Sequence, residues 1–306
     1  ATDVGTSTTA STRRTAGAGA VVVAILLLVA VVVVADRVSG VLFVRSVLVI
    51  AAIAVGSTVL LHVPRRLIVG VLVWLTFLGL ARRLLSSGVG TVTNDPLLLL
   101  APAVLIGLLA AAAQGGRLKV SSAPAVAVLV LCGLAVLSVL NPLAGAGAAA
   151  LAGLLFFLVP LLWTWVGWAY LDAELVRTIL RVVALLSLVA AGYALLQVHL
   201  GFWSFDQEWV DSSGYAALHL SKDTVRPFAM FASAQELGIY LSAGVVVWLF
   251  GPMWCLPRWA RLGAVVLLGS ALLASGSRGA IVLTVLAVLV AWAVRRGISL
   301  VPAALV

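Results

Sequence analysis

Two stretches of this sequence carry side chains suited to chemistry on a charged group. The first is Val225-Arg226-Pro227-Phe228-Ala229-Met230-Phe231-Ala232-Ser233-Ala234-Gln235-Glu236-Leu237-Gly238; the second is Ser275-Gly276-Ser277-Arg278-Gly279-Ala280. An arginine fork is planar and permanently charged, so it can make paired hydrogen bonds to phosphate oxygens. Arg226 and Arg278, if they converge, would make a diphosphate site. Glu236 falls in the first turn of an apolar run, where a carboxylate either favours the positive end of the helix dipole or faces a polar cavity. Arg278 has two readings as well: small neighbours hold its guanidinium in place, or it snorkels to lipid headgroups from an ordinary hairpin. His219 lies shortly before Arg226 and can take a proton near neutral pH, though a lone loop histidine also reads as merely solvated. Asp206, Asp211 and Asp223 read as solvated loop charges.

The elements that must position these residues follow from composition. Of 306 residues, 64% are hydrophobic and only 9% charged, whereas a soluble domain is nearer half apolar and a quarter charged. Lipid is the solvent that accounts for such a chain. The expected fold class is all-α, a polytopic integral membrane helical bundle of about ten transmembrane helices. On the ruler of roughly twenty apolar residues per crossing, the spans fall near 17–35, 41–63, 67–85, 97–113, 123–140, 146–170, 178–200, 232–250, 262–275 and 279–294. Residues 1–15 read as a disordered cytoplasmic N-terminus and 16–306 as a single transmembrane domain, with an external loop at about 201–231. The final residues resemble the opening of another span, so the chain is expected to be truncated at its C-terminus.

The formal charge is +9, but the basic residues come in pairs between apolar runs. Such pairs are topology determinants, and nucleic-acid binding is not expected. With the N-terminus cytoplasmic, twelve of the nineteen Lys and Arg lie on the cytoplasmic side. The opposite side holds Arg37, Arg82, Arg83, Lys222, Arg226 and Arg278, and Arg45 lies inside the second span. Arg226 and Arg278 therefore share a face. Half of the ten acidic residues lie between Asp206 and Glu236, and Trp203, Phe205 and Trp209 suggest a piece of that loop lying at the membrane interface. Gly145, Gly147 and Gly153 suggest close helix approach, and Trp163, Trp165 and Trp168 an interfacial belt. Cys132, Cys255, His62, His199 and His219 show no ligand spacing; no metal and no cofactor are expected.

The first motif, with Ser275-Gly276-Ser277-Arg278-Gly279-Ala280 some forty residues later, resembles the O-antigen ligase and polysaccharide polymerase superfamily of bacterial membrane proteins. The resemblance covers roughly residues 175–295. It implies metal-independent glycosyl transfer from a polyprenyl-diphosphate-linked glycan donor to a glycan or lipid acceptor, on the outer face of the bacterial inner membrane. Carried over, Arg226 and Arg278 hold and neutralise the diphosphate leaving group. The family's Asn-Pro-Asn turn reads Ala232-Ser233-Ala234-Gln235-Glu236 here, and its candidate base, a histidine in a later external loop, falls beyond this chain. His219 and Glu236 are the local candidates for polar roles beside the arginines. A transporter or flippase of a glycan or lipid, and a non-catalytic membrane scaffold, are the rival readings.

Overall fold

The computed structural model describes residues 49, 52, 63–86, 95–118, 122–139, 148–213, 218–221, 224–251 and 256–297. The helices are α1 (Pro64–Ser86), α2 (Leu100–Gln114), α3 (Ala123–Val139), α4 (Ala148–Tyr170), α5 (Ala173–Leu200), α6 (Ser204–Ser213), α7 (Ala234–Phe250), α8 (Arg258–Ala274) and α9 (Arg278–Arg295). A single 3₁₀ turn (Pro96–Leu99) leads into α2, and a small antiparallel hairpin joins β1 (His219–Ser221) to β2 (Thr224–Val225). Strand is otherwise absent among the described residues, so the fold is helical as expected.

Five stretches are long and apolar enough to cross a membrane: Pro64–Leu85, Pro96–Gln114, Gly153–Tyr170, Ala173–Leu200 and Arg278–Arg295. Two shorter apolar helices, Ala123–Val139 and Ala234–Phe250, join them. The chain thus fits a helical membrane protein. α8 covers the expected span at 262–275 but opens on Arg258 and Arg261. The expected span at 17–35 lies outside the described residues, as does 41–63 apart from three positions.

The helices form two compact units: one from residues up to Val71 together with Asn94–Asp172, the other from Leu72–Thr93 together with Ala173–Val306. In the first, α4 packs against both α2 and α3. Leu105, Leu108 and Ala112 of α2 are buried, and the Tyr170 hydroxyl donates to the Leu108 carbonyl at 3.3 Å. Arg65 forms an ion pair with Asp172. Among the described residues, a Cβ on Gly153 would meet nothing within 4 Å; Gly145 and Gly147 lie outside the described residues.

In the second unit α7 is central, packed against α5, α8 and α9, and α5 packs on α8. Small residues set the spacing. A Cβ on Gly244 would fall 2.6 Å from Ser187 Cβ of α5, and backbones can approach so closely only where side chains are this small. Polar groups then fix the register. The Trp248 indole donates to the Ala184 carbonyl at 3.0 Å, and Thr284 of α9 lies 2.6 Å from the Ser242 hydroxyl of α7. Leu237, Leu241, Leu268 and Ala271 fill the space between.

The connection between α5 and α7 is more structured than an external loop. Gly201, in the left-handed conformation (φ 86°), ends α5 as a glycine without a Cβ readily does. The chain then forms α6 and the hairpin. Trp203 stays exposed, at 55%, but Trp209 is buried against Val210, Leu218 and Phe228. The aromatics of this segment therefore build a small core of their own as well as an exposed edge.

Candidate functional site

The site is organised around residues 226–236, which run from the hairpin into α7. Arg226 is pinned at its amide, which donates to the Leu218 carbonyl at 2.7 Å. Its buried Nε has no hydrogen-bond partner among the described residues. Pro227 to Met230 are buried yet not helical, an arrangement whose backbone polar groups must all be answered by something other than a helix ladder.

The answer comes from two helices. From α5, Gln197 Oε1 accepts from the amides of Phe228 (3.1 Å) and Ala229 (2.8 Å). From α1, the Arg83 guanidinium donates to the Phe231 carbonyl at 2.6 Å and to the Ala229 carbonyl. The Leu80 amide, also in α1, donates to the Met230 carbonyl at 2.9 Å. This last contact needs the loop to lie directly on the helix, and Gly79 allows it. A Cβ there would fall 2.5 Å from Met230 O and 2.7 Å from Phe231 C. Ala229 completes the turn at φ 46°, a left-handed conformation that costs an L-residue with a Cβ of the order of 1–2 kcal/mol.

Arg83 does not carry its charge into this site alone. Its Nε lies 3.0 Å from Asp206 Oδ1, and both side chains are fully buried. The other carboxylate oxygen accepts from the Tyr193 hydroxyl (2.6 Å) and Gln197 Nε2 (2.9 Å). The guanidinium also sits over the Phe228 ring, 4.7 Å from its centroid. Buried charges persist only when paired and hydrogen-bonded, and here both conditions are met. Gln197 links the halves of the network, donating to Asp206 and accepting from the loop.

Two sequence expectations are corrected by this cluster. Arg83 was expected as a topology charge at the edge of a span, and Asp206 as a solvated loop charge; each is instead buried as the other's counter-ion. Hydropathy cannot separate these cases, since a charge at a helix end looks the same whether it meets headgroups or a carboxylate. Arg82, half-buried, lies over the Trp209 ring at 5.3 Å. Tyr193 and Gln197 had no signal beyond being polar groups in an apolar helix.

Glu236 caps its helix. Ser233 Oγ accepts from the Glu236 amide at 3.2 Å, and Glu236 Oε2 accepts from the Ala232 amide at 3.1 Å. This is the reciprocal serine–glutamate exchange that satisfies orphan donors at a helix start. His219 is exposed on β1, opposite Val225, beside Arg226 in the chain's return. Asp211 is exposed and accepts from Gln207 at 3.0 Å; Asp223 lies outside the described residues.

Arg278 is the first residue of α9 and is exposed. Its helix starts against the first turns of α7. A Cβ on Gly238 would fall 2.8 Å from Ala280 Cβ and 3.0 Å from Ser277 Cβ. The two sequence motifs, remote along the chain, are therefore packed against each other where α7 and α9 begin. Among the described residues, no group of three or more His, Cys, Asp or Glu is placed to hold a metal. Comparison with protein families, with characterised proteins and with solved structures finds no match to this chain.

Proposed function

We propose that this protein is a membrane glycosyltransferase resembling the O-antigen ligases and polysaccharide polymerases. It takes a polyprenyl-diphosphate-linked glycan and transfers it to a glycan or lipid acceptor. In this reading about ten helices cross the bacterial inner membrane, the N-terminus is cytoplasmic, and the starts of α7 and α9 lie at the outer face. Arg226 and Arg278 engage the donor diphosphate, where paired hydrogen bonds offset the charge that develops as the glycosidic bond breaks.

The observation that supports this reading is the packing of Gly238 on Ser277 and Ala280. It sets the α7 end of the motif that opens with Arg226 against the start of α9, which carries Arg278. An exposed arginine at the first position of a helix stands where aligned backbone amides already favour an anion. Glu236 is spent on capping and leaves the proton-accepting role to His219 or to a group outside the described residues.

The test is to make Arg226→Ala and Arg278→Ala in the natural host and compare surface glycan length and lipid-linked precursor with the parent. Normal membrane levels, loss of mature glycan and accumulation of precursor in both variants would uphold the assignment. Unchanged glycan in both would remove it and leave the transporter or scaffold reading.

A further inference from the structure

The network behind Arg226 has a feature that a purely structural cross-link does not need. The hydrogen bonds described above from this network to the 226–233 segment go to backbone atoms: two amides to Gln197, two carbonyls to Arg83, and one carbonyl to the Leu80 amide. These bonds fix the path of the chain, and the Arg83 guanidinium over the Phe228 ring adds one side-chain contact. The bonds begin two residues after Arg226, with Pro227, whose ring restricts φ, in between. On the other side the Arg226 amide is tied to Leu218. Arg226 is thus held from both flanks, while its side chain has no fixed bond at Nε among the described residues. Resting on the diphosphate reading above, we infer that Arg83 and Asp206 are positioning residues: the buried pair sets the conformation of residues 227–231 and through it the direction in which Arg226 is presented.

Why a charged pair does this work follows from geometry. Three acceptors surround one guanidinium: Asp206 Oδ1, the Ala229 carbonyl and the Phe231 carbonyl. A planar fork can donate to both carbonyls while its charge stays paired with the carboxylate, whereas a lysine amine is a single point at the end of a flexible stem. Asp206 in turn is aimed by Tyr193 and Gln197, and the same Gln197 holds the two amides. Removing the carboxylate charge disturbs both sets of loop contacts together.

The experiment uses the full chain with Cys132 and Cys255 replaced by alanine, purified in detergent. One thiol reporter is placed at the buried loop position (Met230→Cys) and another in the α8 core (Ala271→Cys). Reaction with N-ethylmaleimide is followed in the parent and in Arg83→Lys, Asp206→Asn and Asp206→Glu backgrounds, and glycan and precursor are measured in cells for the same variants. We expect both reporters to be protected in the parent. In Arg83→Lys and Asp206→Asn the 230 thiol should react at least tenfold faster while the 271 thiol does not. Mature glycan should fall to the level of Arg226→Ala, and Asp206→Glu should recover part of it because it keeps the charge. Faster reaction at both positions in both variants would make the pair a general stability element and overturn the inference, as would a freed 230 thiol with undiminished glycan. Lost glycan with both thiols protected would also overturn it, because the pair would then act by some other route. If Arg226→Ala and Arg278→Ala both leave glycan unchanged, the glycosyltransferase reading fails, and labelling confined to position 230 still reports the hold of the pair on the loop.

Discussion

The unit that contains α2, α3 and α4 and the unit that contains α5 to α9 with residues 72–86 of α1 are both strongly apolar, yet they are held by different means. In the first, α3 buries only Ala125 among its residues, and side chains such as Val130, Leu131 and Leu134 are half-exposed or more. Its described polar ties include Tyr170, at the end of α4, donating to Leu108 of α2, the Arg65–Asp172 ion pair, and buried Asp95 capping the turn before α2. In the second, polar groups lie inside: Ser187, Gln197, Ser242, Thr284, Arg83 and Asp206 are all buried. The difference follows from the solvent. Lipid is as apolar as leucine, so apolar contact does little to choose one helix register over another. A buried hydroxyl or ion pair does choose, because a wrong register leaves it unsatisfied. The polar unit is where one arrangement is specified, and it carries both motifs.

The comparison can be broken most sharply at Arg83. Arg83→Ala strands a buried carboxylate and two carbonyls and should destabilise the purified protein by about 3–5 kcal/mol in an unfolding titration. The apolar pair Arg83→Met with Asp206→Leu should recover most of that stability; if it also recovered glycan, the charges would be dispensable for position. Next come the glycines. Gly244→Ala would drive a methyl into Ser187 and should cost about 1–3 kcal/mol by the same titration. Gly153→Ala in α4, whose added methyl meets nothing among the described residues, should instead gain about 0.5–1 kcal/mol from helix propensity. Equal losses at the two sites would erase the distinction between the units. Ala229→Gly relieves a left-handed alanine at some cost in chain entropy, and a net gain of about 0.5 kcal/mol in thermal unfolding is expected. Smallest of all, Leu131→Ala on the exposed face of α3 should stay within about 0.5 kcal/mol.

Much of the helical framework was legible from hydropathy because a crossing needs a long apolar run and little else. The expected spans from 67–85 onward each fall on a helix, with ends displaced by a few residues where caps such as Ser233 set the start. Arg278 stood out as a cation flanked by small residues, and Arg226 as a cation shortly before the polar Gln235-Glu236 pair. What could not be read was the pairing behind them. Arg83 and Phe231 are 148 positions apart, and no local periodicity links a charge at the end of one apolar run to a carbonyl beyond another. Asp206 was hidden because a short helix inside an apparent loop, Ser204–Ser213, turns it inward. Gly79 was one glycine among 28, and only the backbone of Met230 and Phe231 lying against it shows why a side chain there would not fit.

The span in sequence between Arg83 and its acceptors also orders events during biosynthesis. Synthesis runs from the N-terminus, so Arg83 is made and its helix inserted before Asp206, Ala229 or Phe231 exists. Until they arrive, its charge must stay at the water-facing rim, since an unpaired guanidinium is costly in hydrocarbon. Its burial is therefore a late step, completed only when α6 and the turn before α7 have emerged. A nascent chain stalled before that point carries an arginine whose buried partners do not yet exist.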